Sequence, residues 1–158
     1  MDIQKRKDFA MRVSQVNRTG LVAVTLEIID EYIDSALVFL EKGSQKEYRT
    51  EIKQAQRFLG ELMHSLDFKY PLAVELLRLY EYVQRILVSS DVSGTDKGLA
   101  SARKVMSGLG EAFSAISVKD ESGSVMENSQ KIYAGLTYGK GTLNEADIDS
   151  GVNRGFLA

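Results

Sequence analysis

Residues 21–42 have the sequence LVAVTLEIIDEYIDSALVFLEK, and their pattern decides the fold of the chain. Apolar side chains recur here at alternating spacings of four and three residues, which places them on one face of an α-helix. These side chains are Val22, Leu26, Ile29, Ile33, Ala36 and Leu40. A second apolar stripe lies beside the first and consists of Leu21, Val24, Ile28, Tyr32 and Phe39. Because two stripes exceed what one packing face needs, this helix is predicted to be central or shared with a partner.

Three more helices are predicted downstream by the same kind of spacing. They cover residues 45–66, the residues that follow Pro71, and residues 97–117. Proline suits the first position of a helix because its missing N–H would be unpaired there anyway. Thr95 or Asp96 is expected to cap the last of these helices. The predicted fold is therefore an all-α, antiparallel four-helix bundle.

The two ends of the chain differ from this bundle. Residues 1–17 have a weak apolar edge that includes Phe9, and they predict a short N-terminal helix. Residues 119–158 contain six of the 13 glycines, yet they are too apolar for a plain disordered tail. We predict a bundle domain over residues 1–118 and an apolar, glycine-rich tail over residues 119–158. This tail is expected to fold back on the bundle through Ile132, Tyr133, Leu136 and Tyr138.

Composition excludes several classes of function. The chain has 158 residues, which suits one domain, and its net charge of −2 argues against a dedicated nucleic-acid partner. No apolar run approaches the ~20 residues that cross a bilayer, so neither membrane insertion nor a secretory signal is predicted. The absence of cysteine excludes disulfides and thiolate metal sites, and it fits a reducing cytosol.

Catalytic and metal-binding patterns are incomplete. Glu61 and His64 form a Glu-x-x-His pattern, which di-iron bundles use twice, but the chain has one histidine. Glu51, earlier on the same predicted helix, is expected to be a solvated surface charge. Residues 139–142, GKGT, lack the preceding strand and the glycine spacing of a phosphate loop. We therefore predict no catalytic residue, no metal and no cofactor; an enzyme or ligand-binding bundle is the alternative, which activity lost on His64→Ala would favour.

The surplus apolar surface remains as the candidate site. Such a surface on a helical protein is typical of a groove that binds a partner helix. The alternative is a five-helix core in which the N-terminus or the tail covers the surplus. The predicted groove residues are Leu21, Val24, Ile28, Tyr32, Phe39, Leu77 and Tyr80.

Three segments resemble the flagellin export chaperones of the FliS family. Residues 61–67, ELMHSLD, are similar to the family's ELM-x-SLD end of a helix, and residues 79–87, LYEYVQRIL, are similar to its LYxYxxxxL helix. Residues 33–39, IDSALVF, resemble its YDGAIxF segment. The order and spacing of the three segments also fit, and the resemblance covers about residues 13–117.

The resemblance implies a cytoplasmic bacterial protein that binds the C-terminal helical segment of flagellin and prevents premature polymerisation before export. Components of the export machinery and a second copy of the chain are left open as further partners. A helical adaptor or structural protein with another client is the alternative. Residues 18–21, RTGL, replace the family's TASP, and residues 69–71, KYP, replace its Gly-Gly turn. These departures concern the details of partner contact more than the fold.

Overall fold

The computed structural model describes residues 1–126, and within this range the chain forms five α-helices and no strand. The helices are α1 Ile3–Gln15, α2 Arg18–Glu41, α3 Gln45–His64, α4 Pro71–Ser93 and α5 Leu99–Ser117. The predicted all-α class, with four long helices after a short N-terminal one, is confirmed. None of the helices in residues 1–126 is long and apolar enough to cross a membrane.

Helix α2 lies at the centre of the molecule. It packs against α3 on one side and α5 on the other, while α4 packs against α3 and α5 and closes the bundle. Short connections join successive helices, so neighbours in sequence run antiparallel. The first stripe of α2 faces this core, where Leu26, Ile29 and Ile33 are completely buried.

The helix ends follow local sequence chemistry at most positions. The side chain of Asn17 caps α2, since its Oδ1 accepts a hydrogen bond of 2.7 Å from the backbone N–H of Gly20. Gly43 follows α2 with a φ of 72°, a left-handed conformation that glycine adopts without a Cβ penalty. Pro71 opens α4, as predicted.

The predicted cap of the last helix is wrong. Helix α5 begins at Leu99, and Gly98 precedes it with a φ of 87° and no side-chain cap. Thr95 instead points its carbonyl at the core, where it accepts a hydrogen bond of 2.6 Å from the hydroxyl of Tyr48. The carbonyl of Asp96 accepts from the N–H of Leu99 at 3.0 Å. Both hydrogen bonds are accepted by backbone carbonyls of the α4–α5 connection, and Gly98, in the left-handed conformation, directly precedes the first residue of α5.

The prediction that Glu51 is a solvated charge is also wrong. Its side chain is buried and forms an ion pair with the α-ammonium group of Met1. The same ammonium group donates a hydrogen bond of 2.7 Å to Oγ of Ser35 on α2. Helix α1 runs back along α2 and brings the start of the chain over α3. The sequence pattern of α3 alone does not reveal this contact between distant segments.

Candidate functional site

The second stripe of α2 is covered over much of its length. Val24, Ile28 and Tyr32 in this stripe are 3%, 6% and 5% exposed, so they are nearly as buried as the core face. The ring of Tyr32 stacks on that of Phe58 from α3, with 5.6 Å between the ring centroids. An apolar surface therefore continues from the back of α2 onto α3.

Helix α1 covers this surface. Phe9 is the one buried residue of α1, and it belongs to the same apolar cluster as Val24 and Ile28. Two ion pairs flank it, one from Lys5 to Glu31 and one from Arg12 to Glu27. Because higher numbers on α1 pair with lower numbers on α2, α1 lies antiparallel along the second stripe. The position of α1 does not test whether the second stripe binds a partner. It shows that α1 packs on the surplus apolar face in this structure.

The polar contacts of α1 lie mostly at the surface. Both guanidinium NH groups of Arg12 donate to the carboxylate of Glu27, at 2.7 and 2.9 Å. That hydrogen bonding raises the pKa of Arg12, and a hydrogen bond to Glu31 raises the pKa of Lys5 in the same way. All four side chains are substantially exposed, so solvent screens both pairs and each adds little stability. Phe9 is the most buried apolar contact of α1, and Val13 packs half-buried against the same cluster.

Residues 16–17 connect α1 to α2, and we call them the hinge. The hinge is hydrogen-bonded to residues near the C-terminal end of the described chain. We call residues 120–125 the strap. The side-chain amide of Asn17 donates to the carbonyls of Ser117 and Asp120, both at 2.9 Å. The backbone N–H of Val125 donates to the carbonyl of Val16 at 3.0 Å. The strap thus crosses the hinge and makes backbone contact with it.

Asp120 is one of the two charged residues of the strap, with Glu121. Hydrogen bonds from Ser122 and from Thr19 lower the pKa of Asp120 to about 2. The hydroxyl of Thr19 donates to Oδ2 of Asp120 at 2.6 Å. Asp120 therefore stays ionised, and its contact with the first turn of α2 persists, at any physiological pH.

An apolar cleft opens at the same end of the bundle, and we call it the end cleft. Its volume is about 240 Å³. The residues that give it its apolar character are Val22, Leu66, Tyr70, Leu72, Leu76 and Phe113. Tyr80 lies deeper in the end cleft, where burial raises its pKa to about 12.

The predicted groove residues are divided between these places. Three of them are buried on α2, namely Val24, Ile28 and Tyr32. Tyr80 lies in the end cleft, on a helix that packs against α3 and α5. The remaining three are half-buried, namely Leu21, Phe39 and Leu77. Sequence periodicity found the apolar faces, and a cover by the N-terminus, with its apolar edge at Phe9, was one of its two alternatives. It did not find Phe58 as the neighbour from α3.

The tail residues Ile132, Tyr133, Leu136 and Tyr138 lie outside the described residues. His64 is exposed, and its Nδ1 lies 2.7 Å from the carbonyl oxygen of Gly60 in the preceding turn. Within residues 1–126 there is no group of three or more His, Asp or Glu side chains arranged to hold a metal ion.

The fold thus defines the class of helical bundles whose central helix has a broad apolar back, with a short helix of the same chain packed on it. The sequence model of the flagellar protein FliS matches residues 2–120, and the chain therefore belongs to the FliS family. No individual curated protein matches the chain.

FliS-family proteins are non-enzymatic cytoplasmic chaperones. They bind the C-terminal segment of flagellin and prevent its premature polymerisation before export. The function and partner implied by the sequence resemblance are thus confirmed, and the chain is a flagellin export chaperone.

Proposed function

We propose that this chaperone holds the C-terminal helix of flagellin on the second stripe of α2, in the place that α1 occupies in the free protein. The observation that carries the proposal is that α1 pairs with Glu27 and Glu31, along the part of α2 where Val24 and Ile28 are buried. A surface that already accommodates one amphipathic helix has the width and chemistry to accommodate another.

The energetics favour such an exchange. Helix α1 buries one residue of its 13, Phe9, while Val13 packs half-buried beside the core and two ion pairs lie at the surface. The buried ion pair of Met1 with Glu51 holds the start of the chain. An amphipathic helix that contributes apolar side chains at positions i, i+3, i+4 and i+7 buries more apolar surface on the same stripe. The client helix therefore has a larger hydrophobic contribution than the helix it replaces.

The second stripe is also long enough. Leu21 and Phe39 are 18 positions apart, which corresponds to about 27 Å at 1.5 Å per residue. Leu21 and Phe39 extend the stripe at its two ends and are half-buried in the free protein. Leu77 and Tyr80 remain a prediction of a second contact, on α4, for the part of the client that continues past α2.

We further propose that residues 1–118 act as the bundle domain and residues 119–158 as a tail whose first part is the strap. The strap is supported by its hydrogen bonds to the hinge at Val16 and Asn17.

Spin labels test whether α1 leaves the stripe. The chain has no cysteine, so pairs of introduced cysteines carry the only labels. One pair is Ala10→Cys on α1 with Lys53→Cys on α3, and the control pair is Lys53→Cys with Val92→Cys on α4. All three positions are exposed. The added probe is a peptide of the last forty residues of flagellin.

Saturating peptide should lengthen and broaden the distance distribution of the α1–α3 pair and leave the α3–α4 pair unchanged. An α1–α3 distribution that stays the same when the peptide is fully bound would overturn the exchange, while the family's chaperone function would stand.

A further inference from the structure

The end cleft is an apolar surface separate from the second stripe of α2, and it shares Tyr80 with the second contact proposed for the client. Its rim is open to solvent, since Tyr70 is 66% and Leu72 is 60% exposed. Exposed aromatic and leucine side chains around an apolar cleft are typical of a docking site. With about 240 Å³, the end cleft has room for a few apolar side chains and not for a whole helix.

The described chain ends close to this cleft. The strap is fixed to the start of α2 by Thr19, and Val22 in the cleft follows three residues later, about 4.5 Å along the helix axis. On α5, Phe113 of the cleft lies about one turn before Ser117, whose carbonyl accepts a hydrogen bond from the hinge. The described chain, with Val125 bonded to Val16, therefore stops at the end of the bundle where the cleft opens.

We infer that residues 127–138 of this same chain dock in the end cleft. Their apolar side chains Ile132, Tyr133 and Leu136 match the chemistry of its walls. From Met126 to Ile132, six residues span up to about 20 Å, which is sufficient to reach a cleft at the same end of the bundle.

Charge complementarity supports the same occupant. Asp67 lies at the edge of the end cleft, and Lys131 directly precedes the apolar residues of the tail. A lysine beside the first docked apolar residue can pair with that carboxylate while its stem covers apolar surface. A second copy of the chain and the flagellin segment are the competing occupants that the test has to separate.

A single tryptophan reports on the docking. The chain has no tryptophan, so Tyr133→Trp introduces one emission signal into the full-length protein. Docking places this indole in an apolar site, so its emission should lie at shorter wavelength than that of tryptophan in water. Leu72→Asp at the rim of the cleft should abolish this blue shift. The matched control is Val92→Asp, because Val92 is also an exposed apolar residue of α4 and lies at its other end.

Leu136→Asp provides a second variant that leaves every residue of the bundle unchanged, and it should also abolish the blue shift. Water-like emission from Trp at position 133 in the parent protein would overturn the inference, and so would a blue shift that persists in both Leu72→Asp and Leu136→Asp. A blue shift that disappears on dilution identifies a second copy as the source and overturns intramolecular docking. Emission that becomes blue-shifted only with added flagellin peptide overturns it as well. None of these readings depends on whether α1 is exchanged.

Discussion

Replacing Phe9 by alanine should convert the covered stripe of α2 into an accessible one. Phe9 is 9% exposed and is the one residue of α1 that the bundle buries. The change removes the most buried apolar contact of α1 and leaves α2, α3, α4 and α5 with their own contacts intact.

The magnitude follows from the buried surface. A buried phenylalanine removes roughly 100 Å² more apolar surface from water than an alanine does. At about 25 cal/mol per Å² this corresponds to about 2.5 kcal/mol. The guanidinium carbon of Arg12 lies 5.4 Å from the ring centroid, and the loss of this cation–π contact adds about 0.5 kcal/mol. A closed-core cavity penalty does not apply, because water can enter beneath a peripheral helix.

A loss of about 3 kcal/mol weakens the docking of α1 by roughly 100-fold. Since the apparent dissociation constant is the intrinsic one divided by the competent fraction, the flagellin peptide should bind up to about 100-fold more tightly. The gain is smaller if α1 is docked by less than 3 kcal/mol, because the competent fraction cannot exceed one.

Isothermal titration with the last forty residues of flagellin measures the effect. Met11→Ala is the matched control, because Met11 is on the same helix and is 58% exposed, and its affinity should stay within about threefold of the parent protein. Unchanged or weaker binding by Phe9→Ala, with the helical circular dichroism of the parent retained, would refute the reasoning that α1 and the client compete for α2.

Three further outcomes are expected. A chain that stops after Met126 keeps the strap and should bind the flagellin peptide more tightly in titrations. The gain is about tenfold if docking of the tail contributes about 1.4 kcal/mol. Weaker binding would contradict competition by the tail. In urea unfolding, Gly108→Ala should raise the free energy of unfolding by about 1 kcal/mol, because this helical glycine has open space at its Cβ position. Gly98→Ala should lower it, because Gly98 has a φ of 87° and a Cβ there would lie 3.2 Å from a side-chain carbon. Equal effects of the two substitutions would refute this assignment. The pKa of Asp120 is lowered to about 2 in the folded protein, below its unfolded value, so its stabilising effect is present above pH about 4 and is lost as the pH falls through about 2. An NMR titration should give this pKa, and Thr19→Val should raise it because it removes one of the hydrogen bonds to the carboxylate.

The long helices were predictable because their signal is local. Alternating spacings of four and three residues predict the predominantly buried faces of α2 and α3, and Pro71 and Gly43 mark ends through their own backbone preferences. The first stripe of α2 was placed in the core for the same reason. Agreement between periodicity, caps and burial is what a well-specified bundle sequence produces.

The cover of the second stripe was not predictable in the same way. Helix α1 buries one residue, so its periodicity is weak, and its register on α2 is set by ion pairs such as that from Arg12 to Glu27. The strap is further beyond local pattern, because Asn17 and Asp120 are 103 positions apart and are joined through a backbone carbonyl. Contacts of this kind depend on where two distant segments meet, and residue types in a window do not record that.

The central position of α2 has a consequence for the chain during its synthesis. One face of α2 needs α5, which is translated last among the described helices. At ~5–20 residues per second, the ribosome takes about 4 to 15 s to proceed from the end of α2 to the end of α5. Helix α1 is made before α2 and can shield one of the two apolar stripes throughout that interval. Until α5 has been synthesised, the nascent chain therefore exposes one apolar stripe of α2 instead of two.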